Sequence, residues 1–305
     1  MKILLFRLKR RFRASAAGKR FVAAVSTTRF GDMLYKTADA FGLTDTAPSE
    51  QGKIERENAV VFYRDNADRV EKILARLADD KSRDVYAKII RYRQTLDKKD
   101  RPAFSLYDQY FPKDVVSLSD KEVFIDCGAY TGDTAAAFVN RTKGRYERLV
   151  GFETDASLFS HIDKTLPRSV FFNKGVWDKA DRLAFCAADS YGKIADTSVS
   201  SSTVFDRSDR AEQSETTVDV VPIDSVAECA GATFIKMDIE GAELPALKGA
   251  EQTIRRNKPK LAVCIYHSNA DTIDIPEYVI GLDIGYKLFV RQHFGTVCET
   301  VLYAV

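Results

Sequence analysis

The sequence predicts an α/β fold in which a mostly parallel sheet carries helices on both faces. Short apolar runs alternate with helical segments from about residue 121 onward, and parallel strands need crossover helices of this kind. The chain ends differently, because the stretches 287–294 and 299–304 flank Gly295-Thr-Val-Cys298, a spacing suited to a tight antiparallel return. We therefore expect an antiparallel hairpin at the C-terminal end of the sheet.

The individual elements follow from the apolar pattern. Core strands are predicted at 123–125, 149–152, 170–172, 233–237 and 260–265, with a further strand at 183–186. Crossover helices are predicted at 132–140, 156–166 and 244–256. Ile275-Pro276 is typical of the first turn of another helix, since proline fits a position that needs no N–H donor.

A helical N-terminal region precedes this domain. Val70, Ile73, Leu74 and Leu77 repeat at helical spacing within 66–78, and a second helix is predicted at 85–96. Pro102 and Phe111-Pro112 are typical of connecting segments. We expect a helical region over 1–112 and the α/β domain over 113–305.

Composition excludes some classes of protein. The chain has 305 residues, with 46 Lys and Arg against 44 Asp and Glu, and this balance gives no reason to expect a nucleic-acid partner. The first twenty residues are basic and interleaved with apolar side chains. They are expected to pack as a helix on the protein, and peripheral contact with an anionic membrane is the alternative.

The expected location follows from the apolar runs and the cysteines. No run reaches the length of a signal-peptide core or a membrane span, so we expect the cytoplasm, with the inner face of the membrane as the alternative. The five cysteines are scattered without a CxxC pair and are expected to be buried free thiols.

A glycine-bearing turn, Asp126-Cys-Gly128-Ala-Tyr-Thr-Gly132-Asp133-Thr134, joins the first strand to an alanine-rich helix. Glycines at such a place let a ligand approach the backbone closely. The spacing matches neither the dinucleotide fingerprint nor the P-loop. An acid before the first glycine suits an ammonium group, which indicates an amino-acid-like cofactor, although a purely structural turn is the alternative.

Two further groups of polar residues follow strands of the same sheet. Glu153 ends the second strand, where nucleoside-binding sheets place a ribose ligand. The segment Lys236-Met-Asp238-Ile-Glu240-Gly-Ala-Glu243 follows another strand and should face the same crevice. The alternative is that its glutamates only favour a helix N-terminus.

These segments resemble those of the FkbM family of methyltransferases over roughly 121–305, most specifically in Lys-Met-Asp-Ile-Glu-Gly-Ala-Glu. The resemblance implies the Rossmann-like, seven-stranded class I methyltransferase fold, S-adenosylmethionine as cofactor, and O-methylation of a hydroxyl, with a sugar of a glycan or polysaccharide as acceptor. The family usually has Asn where this chain has Tyr130. The implied cofactor-binding residues are Asp126, Gly128, Ala129, Tyr130, Thr131, Gly132, Asp133, Thr134, Glu153, Thr154, Asn173, Gly175, Val176 and Asp238.

Methyl transfer to a hydroxyl needs a group that takes its proton. The predicted catalytic residues are Asp238, His267, Lys236 and Glu240, with His267 or Asp238 as the base. His267 follows a strand directly and also has a structural or substrate-contacting interpretation. No metal is expected, although Asp238, Glu240 and His267 offer oxygen and nitrogen ligands.

The last strands, one hydroxyl-rich segment and the class of protein each have more than one interpretation. Arg291 and His293 alternate with Phe289 and Phe294, so they face either a glycan acceptor or solvent. The hydroxyl-rich segment 198–203 is a surface loop or a lid. The alternatives to a methyltransferase are a non-catalytic scaffold of glycan-assembly machinery and an NAD-dependent oxidoreductase.

Overall fold

The computed structural model describes residues 50–188, 191–195 and 216–305, together with Met33, Lys36 and Thr37. The basic N-terminal segment and the hydroxyl-rich segment 198–203 lie outside the described residues. Within the described part of the chain, no helix is both long and apolar enough to cross a membrane.

The strands in chain order are β1 Val123–Cys127, β2 Arg148–Phe152, β3 Ser169–Phe172, β4 Gly175–Val176, β5 Asp181–Ala188, β6 Tyr191–Ala195, β7 Thr216–Val221, β8 Phe234–Met237, β9 Lys260–Cys264, β10 Leu288–Gln292 and β11 Thr300–Ala304. The helices are α1 Glu50–Asp65, α2 Ala67–Arg76, α3 Asp80–Thr95, α4 Asp133–Thr142, α5 Ala156–Ser160, α6 Glu243–Lys248, α7 Glu251–Asn257 and α8 Asp271–Gly281.

Seven strands form the main sheet in the order β10-β11-β9-β8-β1-β2-β3. Strands β3, β2, β1, β8 and β9 run parallel, and β11 pairs antiparallel with both β9 and β10. The predicted fold class is thus confirmed, including the antiparallel C-terminal pair. The five parallel strands turn their carboxyl ends to one edge, where ligands of open α/β sheets bind.

A second sheet lies beside the first. Its order is β4-β7-β5-β6, with β5 antiparallel to both of its neighbours. The strand predicted at 183–186 belongs to β5 and therefore lies outside the parallel sheet. A single run of apolar residues does not reveal which sheet a strand will join.

The N-terminal helices share a core with the sheet. Buried side chains of α1, α2 and α3 belong to the same apolar cluster as side chains of β8, β9 and β10. Tyr86 of α3 donates a 2.8 Å hydrogen bond to the carbonyl oxygen of Thr272 in α8. Pro276, four residues later, has no N–H for that carbonyl, so the tyrosine replaces the missing helical donor.

Several local predictions were wrong. Helix α8 begins at Asp271, so Pro276 lies inside the helix and not in its first turn. The helix predicted at 244–256 is two helices, α6 and α7, with Gly249 and Ala250 between them. Gly249 packs so closely against Trp177 that a Cβ would lie 1.9 Å from the Trp177 carbonyl oxygen. The helix predicted at 156–166 ends at Ser160. Among the described cysteines, Cys298 is exposed.

Arg291 and His293 face neither solvent nor an acceptor site. The Arg291 guanidinium is buried and lies 2.7 Å from Asp79 Oδ2 and 3.0 Å from Asp114 Oδ2. The His293 ring lies 2.8 Å from both the Ser105 carbonyl oxygen and the Tyr303 hydroxyl, and burial lowers its pKa to about 4. Both residues therefore attach the segment before β1 to the C-terminal strands.

Candidate active site

A cavity of about 270 Å³ opens at the carboxyl ends of β1, β2, β8 and β9. One side, the glycine half, is formed by the glycine turn and by residues after β2 and β3: Gly128, Tyr130, Asp133, Thr134, Phe152, Glu153, Thr154, Asp155, Leu158, Lys174, Gly175 and Val176. The other side, the polar half, is formed by Gln109, Tyr110, Lys236, Asp238, Ile239, Glu240, Tyr266 and Glu299.

The glycine turn is held by the strand next to it. The N–H groups of Gly128 and Ala129 donate to the Phe152 carbonyl at 2.9 and 2.8 Å. Gly128 has φ +80°, and a Cβ at that position would lie 1.9 Å from the main-chain oxygen of Asp238. Glycine is required here for two reasons, because the backbone is left-handed and the neighbouring chain is too close for a side chain.

Glu153 connects the turn to the end of β2. One carboxylate oxygen accepts from the Tyr130 N–H and the other from the Asp155 N–H, both at 2.8 Å. Burial raises the pKa of Glu153 above its ordinary value. Each oxygen keeps a further lone pair for a ligand hydroxyl, since a carboxylate can accept about four hydrogen bonds.

Lys236 and Asp126 form a buried ion pair beneath the turn. The Lys236 Nζ lies 3.1 Å from Asp126 Oδ1 and donates to the carbonyl oxygens of Gly128 and Cys127 at 2.7 and 3.2 Å. Although burial opposes the charge, Asp126 and Asp238 hold the pKa of Lys236 above its ordinary value. The ammonium group therefore stays charged and fixes the shape of the turn.

Asp238 is the centre of the polar half. Its Oδ2 accepts from the Tyr110 hydroxyl at 2.6 Å and its Oδ1 from the Tyr266 hydroxyl at 3.1 Å. Burial opposes ionisation, but the neighbouring His267 ring and the charge of Lys236 hold the pKa of Asp238 below its usual range. Asp238 is thus a carboxylate with an oriented pair of tyrosine donors.

His267 is enclosed by three carboxylates. Its Nδ1 lies 3.1 Å from Glu243 Oε1, and its Nε2 lies 3.4 Å from Asp238 Oδ1 and 3.5 Å from Glu240 Oε2. Burial opposes a charged imidazole, yet Glu243 and Asp238 raise the pKa of His267 well above its ordinary value. A ring that is already protonated cannot accept a proton, so this geometry argues against His267 as the general base.

Some of the predicted residues line the cavity and others do not. The lining residues are Gly128, Tyr130, Asp133, Thr134, Glu153, Thr154, Gly175, Val176, Lys236, Asp238 and Glu240. The predicted residues outside the lining are Asp126, Ala129, Thr131, Gly132, Asn173 and His267. Asn173, for example, donates to the main-chain oxygens of Glu153 and Thr154 at 2.8 and 3.1 Å, which fixes the end of β2.

Sequence reasoning missed four polar side chains of the polar half: Gln109, Tyr110, Tyr266 and Glu299. Tyr266 could have been found, because it precedes His267 at the same strand end. Gln109 and Tyr110 lie in the connector before β1, and Glu299 lies between the last two strands, so no motif marks them. Gln109 donates to Glu299 and, at 3.0 Å, to the Tyr110 hydroxyl, which links the three residues.

The sheet order, the glycine turn and the acid after β2 together define a class I methyltransferase fold with S-adenosylmethionine as cofactor. Residues 126–288, just over half of the chain, match the methyltransferase FkbM domain, so the chain belongs to the FkbM family of methyltransferases.

The chain is similar to an FkbM methyltransferase of known structure. Methyltransferase FkbM from Methylobacillus flagellatus KT is similar, with a TM-score of 0.65 and 28% sequence identity over 80% of this chain. This chain spans 60% of that protein's length. Fibrillarin from Aeropyrum pernix, solved with natively bound S-adenosyl-L-methionine, has a TM-score of 0.38 and 13% identity, covering 63% of this chain and 71% of that chain. No curated protein sequence matches the chain significantly.

Proposed function

We propose that the chain transfers a methyl group from S-adenosylmethionine to a hydroxyl oxygen, on a sugar of a glycan or polysaccharide. The observation that carries the proposal is the charge of the cavity, which six acids line against two lysines: Asp133, Glu153, Asp155, Asp238, Glu240 and Glu299 against Lys174 and Lys236. S-adenosylmethionine carries a net positive charge, whereas the pyrophosphate of NAD is anionic. The acidic lining favours the first and repels the second.

The glycine half fits this cofactor residue by residue. The open carboxylate lone pairs of Glu153 suit the two ribose hydroxyls, the turn at Gly128 suits the methionine moiety, and Gly175 and Val176 suit the adenine edge. When bound, S-adenosylmethionine supplies the methyl group at an electrophilic sulfonium. The protein's own contribution is to align the acceptor oxygen and to exclude water.

The polar half fits a hydroxyl acceptor. Asp238, fixed by Tyr110 and Tyr266, accepts a hydrogen bond from the acceptor hydroxyl and orients its oxygen. Its low pKa makes it a weak base. Burial, assisted by the charge of Asp238, raises the pKa of Glu299 to about 7, which is near the value that best suits a proton acceptor at neutral pH. We assign proton acceptance to Glu299.

Calorimetric titration of the full chain with S-adenosylmethionine and with NAD shows which of the two cofactors the chain binds. Binding of the first alone supports the proposal, binding of NAD alone supports an oxidoreductase, and binding of neither supports a scaffold. A second assay follows label from methyl-tritiated S-adenosylmethionine into neutral oligosaccharides and into matched amino sugars. Label that resists alkali in the neutral sugars indicates an ether, the expected product, whereas label only on nitrogen contradicts O-methylation.

A further inference from the structure

The three carboxylates around His267 belong to one loop. Asp238 and Glu240 follow β8, and Glu243 begins α6, where its two oxygens accept from the N–H groups of Ile239 at 2.8 Å and Gly241 at 3.0 Å. Glu240 adopts φ 58°, a left-handed conformation that is uncommon for residues other than glycine. The loop therefore holds its acids in fixed positions, at some conformational cost that is typical of functional sites.

His267 faces this loop from the end of β9. Its side chain is only 4% exposed, and neither ring nitrogen makes a hydrogen bond of acceptable geometry. Buried polar side-chain atoms nearly always have such a partner, and an exception calls for an explanation such as a bound ion. The Nε2 is instead 3.4 and 3.5 Å from one oxygen each of Asp238 and Glu240.

The two separations from Nε2 each match an edge of a metal coordination sphere, and one ligand atom each of Asp238, Glu243 and His267 lie within 4.8 Å of one another. Ligands at about 2.1 Å from an ion are separated by about 3.0 Å in an octahedron and about 3.4 Å in a tetrahedron. Asp238 Oδ1 already accepts from Tyr266, but each carboxylate oxygen has a second lone pair. Glu243 is bound to the loop amides and lies 3.1 Å from Nδ1, where it can orient a ligating histidine. A bound ion would take the place of the proton on Nε2, which is released to solvent.

We propose that Asp238, Glu240 and His267, supported by Glu243, form a binding site for a divalent cation. One imidazole among carboxylates suits an ion that accepts both oxygen and nitrogen ligands, and Mn²⁺ meets this requirement. Asp238 and Glu240 line the polar half, with side chains 21% and 24% exposed, so the ion is accessible from the cavity. If the proposed function holds, the ion coordinates the acceptor hydroxyl and lowers its pKa.

Mn²⁺ binding to the full chain tests the site without cofactor or acceptor. Electron paramagnetic resonance should show about one bound Mn²⁺ per chain, displaced by excess Mg²⁺ or Zn²⁺. Glu240→Gln and His267→Ala should each weaken binding at least about tenfold. Glu153→Gln is the matched control, because it neutralises an acid of the same cavity at the opposite side, and its Mn²⁺ affinity should stay unchanged.

Three results would overturn the proposal: no Mn²⁺ binding by the wild-type chain, equal affinity in all variants, or equal loss in the Glu153→Gln control. Titration of Glu240→Gln with S-adenosylmethionine shows whether that variant is folded. That titration also keeps the two proposals apart, since a chain that binds the cofactor and no Mn²⁺ refutes the metal site alone.

Discussion

The Tyr110 hydroxyl donates a 2.6 Å hydrogen bond to Oδ2 of Asp238, across 128 residues of sequence. This bond brings the connector before β1 into the cavity that the strand ends form. Together with the hydrogen bond from the Tyr266 hydroxyl to Oδ1, it orients both oxygens of Asp238.

Replacement of Tyr110 by Phe should reduce methyl transfer by about 10- to 100-fold, since a hydrogen bond to a charged group contributes about 1.5–3 kcal/mol. The cofactor affinity should change little, because Tyr110 lies in the polar half. Single-turnover transfer and calorimetric titration measure the two effects. Tyr286→Phe removes a tyrosine hydrogen bond to the Pro259 carbonyl outside the cavity and is the control. Equal loss of transfer in both variants would refute the role of Tyr110.

Gly128→Ala should abolish S-adenosylmethionine binding. The added Cβ would lie 1.9 Å from the Asp238 main-chain oxygen, so the turn must move away from β8. Gly231→Ala is a matched control, with φ +76° against +80° and open space around the new Cβ. It should lose only about 1–2 kcal/mol of stability and bind the cofactor normally. Titration of both variants with the cofactor measures their affinities. The difference between the variants gives the effect of the clash, because both carry the same cost of a left-handed alanine.

Lys236→Met should destabilise the fold by about 3–5 kcal/mol, because it leaves the Asp126 carboxylate buried without its partner. The double variant Lys236→Met, Asp126→Asn should recover most of this loss, since no unpaired charge remains. Urea denaturation of the wild type, both single variants and the double variant measures the coupling. Additive losses would show that the pair does not act as a unit.

Glu299 should make the stability depend on pH. Its folded-state pKa of about 7 exceeds the ordinary value of 4.5, so the folded chain binds the proton more tightly than the unfolded chain. Its contribution is therefore fully present below pH 4.5 and is lost as the pH rises toward 7. Glu299→Gln should be more stable than the wild type at pH 8, by at most about 3 kcal/mol, and equal to it near pH 4.5.

Thermal unfolding across pH 4.5–8 measures this difference for Glu299→Gln. The exposed Glu71→Gln is the control and should follow the wild-type curve. A Glu299→Gln curve parallel to the wild type would contradict a raised pKa. Methyl transfer by Glu299→Gln should also fall about 10²- to 10⁴-fold if Glu299 takes the proton.

Tyr86→Phe should destabilise the chain by about 1–3 kcal/mol, because the Thr272 carbonyl loses its donor and Pro276 cannot replace it. Chemical denaturation measures the change. Tyr130→Phe, at a side chain that is 43% exposed, should lie within about 0.5 kcal/mol of the wild type. A Tyr86→Phe chain as stable as the Tyr130→Phe chain would show that water or another group satisfies the carbonyl.

The class of sheet and half of the cavity could be predicted from local sequence patterns. Apolar runs, crossover helices and the turn from Asp126 to Thr134 are local patterns, so the glycine half could be predicted from them. The cluster from Lys236 to Glu243 was also found, because residues after parallel strands share one edge of the sheet. The role of each residue in that cluster could not be predicted from the sequence. In the structure, Lys236 shapes the glycine turn because it donates to the carbonyl oxygens of Cys127 and Gly128.

The residues that complete the polar half could be identified only from the folded chain. Tyr110 and Glu299 come from a connector and from the turn between the last strands, and both reach Asp238's side of the cavity through the packing of the whole chain. The raised pKa of His267 likewise depends on Glu243 and Asp238, which the fold brings close to the ring. Strand and turn patterns arise from neighbouring residues, whereas charge and proton affinity arise from whatever the fold brings within a few ångströms.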